Sequence, residues 1–164
     1  MLLNHLELIH AAEDSAVRLE VFDGVPVWEP GPTFSHQQTV QRILRSFDSR
    51  ATACIAVQSV LLELAPGSFT CPDLVVLSGL PDPLETEEAL NIVPKAVIEI
   101  VSKNYEYKDL VLAPPFYLDI GVNDVVIFDP RSKVVLHYRR EWSKPRAMQS
   151  PIRLELECGC EVTV

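Results

Sequence analysis

Residues 70–78 read TCPDLVVLS, a proline and an aspartate set directly before an apolar run; residues 95–103 read KAVIEIVSK, a second apolar run broken by one glutamate. Both runs are short and rich in β-branched residues, as strands are, and too apolar to carry a wet face. They are therefore expected inside a sheet, and if they are neighbours their carboxylates can converge. Glu99 shares a strand face with Val97 and Val101, because side chains alternate along a strand. An ionised carboxylate in that setting is costly unless it is paired or meets a cation. Asp73 opens its strand directly after Pro72, whose ring fixes the approach of the chain. Two converging hard oxygen donors suit Mg²⁺, which can hold a phosphate and activate a water for phosphodiester cleavage. Each residue also has a plain reading: Asp after Pro is an ordinary turn residue, and a buried Glu can accept hydrogen bonds from an arginine or from backbone amides.

Upstream, RLEVFDGVPVWEP alternates around Asp23-Gly24, a strong hairpin signal, and Pro26 puts its arm at an edge. GPTFSHQQTVQRILRSF predicts a helix with Ser35 and Gln38 as a capping box and Val40, Ile43, Leu44 and Phe47 as the apolar face. ACIAVQSVLLEL reads as one long strand and APGSFTCP as a turn. GLPDPLETEEALNIVP, residues 79–94, reads as a surface loop. KNYEYKDLVLAPPFYLDIG begins as a helix, but Pro114 and Pro115 forbid a regular interior. DVVIFDP and KVVLHYRR predict a hairpin across DPRS, and PIRLELECGCEVTV a last strand pair. The pattern is one α+β or mixed-sheet α/β domain over residues 1–164, a central mixed sheet flanked by helices with N-terminal and C-terminal hairpins.

The chain has 164 residues, 48% of them hydrophobic, and a formal net charge of −9. That length can bury a sizeable core. The acidic balance opposes binding to nucleic acid by bulk charge, so any such activity needs a local basic strip or a metal. No run reaches the ~18 apolar residues of a membrane span. MLLNHLELIHAAEDSAV lacks the features of a secretion signal, which makes a cytoplasmic protein the expectation. Of the four cysteines, Cys158 and Cys160 are one residue apart, where structural zinc sites usually have two to four between ligands. Cys54 and Cys71 stand alone in apolar runs. All four are expected to be reduced and structural.

In order, these segments resemble the PD-(D/E)XK nuclease superfamily and, more narrowly, a large bacterial family of restriction-endonuclease-like proteins of unknown function. The similarity runs over residues 18–138. It is carried by RLEVFDGVPVW with Glu20 and Asp23-Gly24, SHQQTVQRIL with His36, CPDLVVLS with Pro72 and Asp73, VIEIVS with Glu99 and Ser102, then Asp109. YLDIGVNDVVIFDP adds Tyr117, Gly121, Val122, Asp129 and Pro130. The resemblance implies a restriction endonuclease-like core and a nuclease using Mg²⁺ or Mn²⁺ on nucleic acid, DNA first. Asp73 and Glu99 would be its metal ligands. Glu20 would be a third, or a strand residue facing water. His36 would point into the cleft to meet phosphate or move a proton, or would be a surface or capping residue. A homodimer is also implied, with the VVLHY stretch and exposed hairpin edges offering surface to bury.

One part is out of place. The superfamily lysine two residues after the Glu is here Val101, and the family's alternative, four residues after the helix aspartate, is here Ala113 ahead of two prolines. Lys103 or Lys108 would substitute, although on a regular helix Lys108 points ~100° away from Asp109. The competing reading makes both solvated surface lysines. Two functions follow: a metal-dependent endonuclease, or a nuclease-like module that has lost catalysis and binds or regulates.

Overall fold

The computed structural model of the protein describes residues 5–14, 17–50, 52–82 and 88–164. Its centre is a six-stranded mixed sheet formed by β3 (Ile55–Gln58), β6 (Leu74–Leu77), β7 (Ala96–Ile100), β8 (Asp124–Asp129), β9 (Val134–Arg139) and β10 (Arg146–Gln149), in the order β10-β9-β8-β7-β6-β3. Every neighbouring pair is antiparallel except β7 and β8, which are parallel. Parallel neighbours need a crossover, and residues 101–123 supply it with α3 (Ala113–Ile120).

Strand alternation divides the core in two. Leu74, Val76, Ile98, Ile100, Val126 and Phe128 face Val40 and Ile43 of α2 (Phe34–Arg45) and the hairpin of β11 (Arg153–Glu155) and β12 (Glu161–Thr163). Val75, Leu77, Val97, Val101, Val125 and Ile127 face Phe116 and Tyr117 of α3 and Phe22 of β1 (Val17–Phe22). Each such side chain, once buried, contributes about 1.5–3 kcal/mol. β1 pairs with β2 (Val25–Pro30) across Asp23-Gly24, whose φ of 48° and 81° suit a tight two-residue turn. Pro26 lies on the unpaired edge, as expected.

Several expectations change. Helix α1 (His5–Asp14), which periodicity did not flag, lays Ile9 and Ala12 against Leu19 and Val21 of β1. The long strand over 53–64 is two strands: Ser59, at φ 52°, turns the chain out of β3, and β4 (Leu62–Ala65) pairs instead with β5 (Ser68–Thr70). The cap of α2 is Thr33, whose hydroxyl accepts from His36 N, rather than Ser35. The 79–94 loop is not all surface: Leu90 is buried and its backbone bonds to Leu61 and Glu63. Residues 83–87 of that loop lie outside the described residues. VVLHY offers little surface to a partner, since β9 is held between β8 and β10 and Val135 and His137 are buried. Among the described residues, no helix is long and apolar enough to cross a membrane.

The double proline has a local consequence. A proline inside an α-helix clashes with the carbonyl four residues back and leaves it without a donor. Residues Lys108–Leu112 instead widen into a π-helical turn, closed by Ala113 N donating to Lys108 O. α3 then starts with Pro114 and Pro115 in its first turn, where missing N–H groups cost nothing.

Candidate active site

β6 and β7 pair with Leu74 opposite Ile98 and Val75 opposite Val97. Continued one step, that register sets Asp73 opposite Glu99 on the α3 face. The two carboxylates hold each other's strand: Asp73 N donates to Glu99 Oε2 at 3.1 Å, and Ile100 N donates to Asp73 Oδ2 at 2.8 Å. Glu99 has no exposed surface. Burial pushes its carboxyl well above the ordinary range; Lys108 opposes that rise and Asp73 adds to it. Burial would also raise Asp73, but the hydrogen bond and charge of His36, with Lys108 and the Ile100 amide, hold it below its ordinary value. The two environments thus push the carboxyls in opposite directions, Glu99 up and Asp73 down.

His36 comes from the first turn of α2. Its Nε2 lies 2.8 Å from Asp73 Oδ1, and its Nδ1 lies 3.5 Å from Ser102 Oγ, at the outer limit of a hydrogen bond. The imidazole is therefore aimed into the site, the sequence's functional alternative for this residue.

Lys108 differs most from expectation. It is buried, not solvated, and its Nζ lies 3.0 Å from Glu20 Oε2, 3.3 Å from Glu29 Oε2 and 3.1 Å from Asp109 Oδ1. The π-helical turn buries Lys108 and Asp109 together, so the separation of neighbours on a regular helix does not apply. Burial would pull the ammonium down, but Glu20, Glu99, Asp109 and Glu29 more than reverse this and raise it well above its usual value. Lys103 is exposed at the mouth of the cleft. Glu20 does not face water: it is fully buried and also accepts from Cys71 N at 2.6 Å.

Two members were not singled out from the sequence, Arg18 and Glu29. The signal was there: Arg18 lies two residues from Glu20 on the same strand face, and the hairpin register sets Glu29 opposite Arg18. Arg18 reaches Cys71 O at 3.4 Å.

A cleft of about 280 Å³ opens onto this group, lined among others by Arg18, Glu29, His36, Asp73, Ser102 and Lys108. Glu99 sits behind Asp73 and does not line it. Five buried carboxylates, Glu20, Glu29, Asp73, Glu99 and Asp109, gather around one lysine, with Arg18 and His36 beside them. Burial raises Glu29 and Asp109 as well, with Lys108 offsetting part of the rise. Glu29 Oε1 accepts no hydrogen bond among the described residues. Glu29 Oε1, on the cleft wall, is thus a hard oxygen available to a divalent cation.

The sequence model of the Uma2 family, described as "Putative restriction endonuclease", matches residues 4–163. The chain belongs to the Uma2 family. Among solved structures it is similar to a protein from Anabaena variabilis ATCC 29413 described as "a putative nuclease belonging to DUF820", with a TM-score of 0.68 and 18% identity over 92% of this chain and 86% of that one. At that identity the likeness establishes the fold. No curated protein matches the chain. Within the Uma2 frame, this chain is a restriction endonuclease-like fold whose central sheet carries Asp73 and Glu99 at one end, and whose buried lysine arrives from the crossover.

Proposed function

We propose that this Uma2 protein is a metal-dependent endonuclease that hydrolyses phosphodiester bonds of nucleic acid, DNA first, at the Asp73 cleft. The observation that carries the reading is the shared wall: Asp73, His36 and Lys108 border one cleft backed by surplus carboxylates. Restriction endonuclease-like families usually use a divalent metal. Asp73 and Glu99, with Glu20, would hold Mg²⁺ or Mn²⁺, which supplies Lewis-acid polarisation of a phosphate oxygen and eases loss of a proton from water. Around it the chain's own groups divide the work. Asp73 is the ionised ligand at the cleft surface. Glu99, behind it with its carboxyl raised by burial, would release its proton to solvent on serving as the second ligand. His36 Nε2 holds or passes a proton at Asp73 Oδ1. Lys108 balances charge beneath the phosphate, and Lys103 meets the nucleic-acid backbone at the rim. The reading takes a homodimer, supported by the family resemblance and by Trp28 and Phe34, 50% and 79% exposed. It takes a cytoplasmic setting, which suits four cysteines in thiol form.

One observation favours the second reading, a module that binds without cutting: Lys108 Nζ is already engaged by three carboxylates. Purified protein incubated with single- and double-stranded DNA and RNA, with Mg²⁺ or Mn²⁺, separates the two. Cleavage that needs the metal and disappears in Asp73→Asn supports the enzyme; metal and nucleic-acid binding without cleavage supports the module.

A further inference from the structure

Away from the cleft, the fold gathers three of the four thiols. Cys54 precedes β3, and Cys158 and Cys160 stand on the turn between β11 and β12. Their sulfur atoms all lie within 4.8 Å of one another. Cys54, isolated in the sequence, is thus the third corner of a triangle whose other two corners are the CGC pair. The one-residue spacing of that pair works because the turn is tight. Leu156 N donates to Cys160 O at 2.8 Å, and Gly159 N donates to Leu156 O at 2.9 Å. Gly159 has a φ of +86°, and a Cβ there would sit 3.2 Å from Thr52 Cγ2, so the turn leans directly on the segment that carries Cys54. Thr52 ties both sides together: its hydroxyl lies 3.0 Å from Cys160 Sγ and accepts from Cys54 N at 3.1 Å. Cys54 and Cys160 are buried, while Cys158 is half-buried and leaves a way in.

We infer that Cys54, Cys158 and Cys160 form a site for one soft cation of the Zn²⁺ class, with the fourth position open to water or a small exogenous thiol. Thiolates on one tetrahedral zinc, at Zn–S of about 2.3 Å, stand about 3.8 Å apart, within the spread of this triangle. Sulfur donors select a soft or borderline cation over Mg²⁺, so the site is chemically distinct from the carboxylate cleft. Filled, it staples the C-terminal hairpin to the start of edge strand β3. Among the described residues no fourth histidine, cysteine or carboxylate joins the triangle, so a fourth ligand would come from outside, past the half-buried Cys158.

The test uses the full chain, reduced, metal-free and under anaerobic conditions, titrated with Co²⁺ and then Zn²⁺. One thiolate-bound Co²⁺ per chain is expected, counted by an intense thiolate-to-cobalt charge-transfer band that Zn²⁺ erases, and Zn²⁺ should raise Tm. Cys158→Ser, at the half-buried corner, should weaken binding at least tenfold and reduce the band. Cys71→Ser and Asp73→Asn should keep the thiolate band and its Co²⁺ affinity as in the wild type, which separates this site from the cleft. Absence of the thiolate band, or a band that Cys158→Ser leaves unchanged, overturns the inference. So does peptide mapping that finds two of the three thiols joined as a disulfide in protein isolated without added reductant.

Discussion

Glu99 and Asp73 face each other across a strand pair, where two negative charges repel, and burial together with that repulsion favours a proton on Glu99. Its carboxyl is raised in the fold, so the stability linked to that proton is complete below the ordinary glutamate range, about 4.3, and is lost as pH rises through the folded value. Glu99→Gln keeps the shape but cannot ionise. Urea melts from pH 5 to pH 9 are therefore expected to show the variant gaining on the wild type as pH rises; a gap constant with pH contradicts the assignment. The same variant should lose any Mn²⁺-dependent rise in Tm, because a ligand that binds only the folded state stabilises it. The two lysines behave oppositely. Lys108→Met leaves Glu20, Glu29 and Asp109 without their cation and should cost about 3–5 kcal/mol. Lys103→Met, at an exposed site, should shift stability by less than about 0.5 kcal/mol and be felt only in nucleic-acid affinity.

Elements differ in how openly the sequence announces them. The β1–β2 hairpin was legible because Asp-Gly is one of few pairs that take positive φ readily, and β6 and β7 because their apolar runs are bounded by Pro72 and Pro94. Asp73 and Glu99 could be paired on paper because strand periodicity is strict. The break between β3 and β4 was hidden, since apolar residues continue on both sides of Ser59 and only its backbone angle marks the bend. The direction of Lys108 was hidden for a related reason: the prolines warned of an irregular helix, but not that widening the turn would carry a lysine inward. Asp124 joins elements that the sequence shows only separately. It accepts from His137 Nε2 in β9, from Arg139 Nε in β9 and from Glu157 N beside β11, each at 2.7 Å. Asp124→Asn should therefore loosen the C-terminal hairpin and cost about 3 kcal/mol in chemical denaturation, with the sheet core intact.

For the molecule as a whole, acid stability should follow two aspartates. Burial would raise both, but Asp73 is held low by His36, and Asp124 by His137, the Glu157 amide and Arg139. Depressed carboxyls contribute stability that is complete above the ordinary aspartate range, about 3.9, and lost as pH falls through their folded values. The wild type is thus expected to lose stability steeply below about pH 4, and Asp124→Asn to lose less over that interval. Assembly has its own test: light scattering at micromolar concentration should give twice the 18.4 kDa chain mass, and Phe34→Glu should shift it toward the monomer. The mutual clamp of Asp73 and Glu99 carries a kinetic signature. The amides of Asp73 and Ile100 are shielded by side-chain oxygens, whereas Val101 N is held by a backbone carbonyl, Phe128 O. A ligand that draws those carboxylates out of their present positions frees the first two amides and spares the third. Deuterium uptake at Asp73 and Ile100, timed against Val101, becomes a clock for cleft occupancy that runs whether or not any bond is cut.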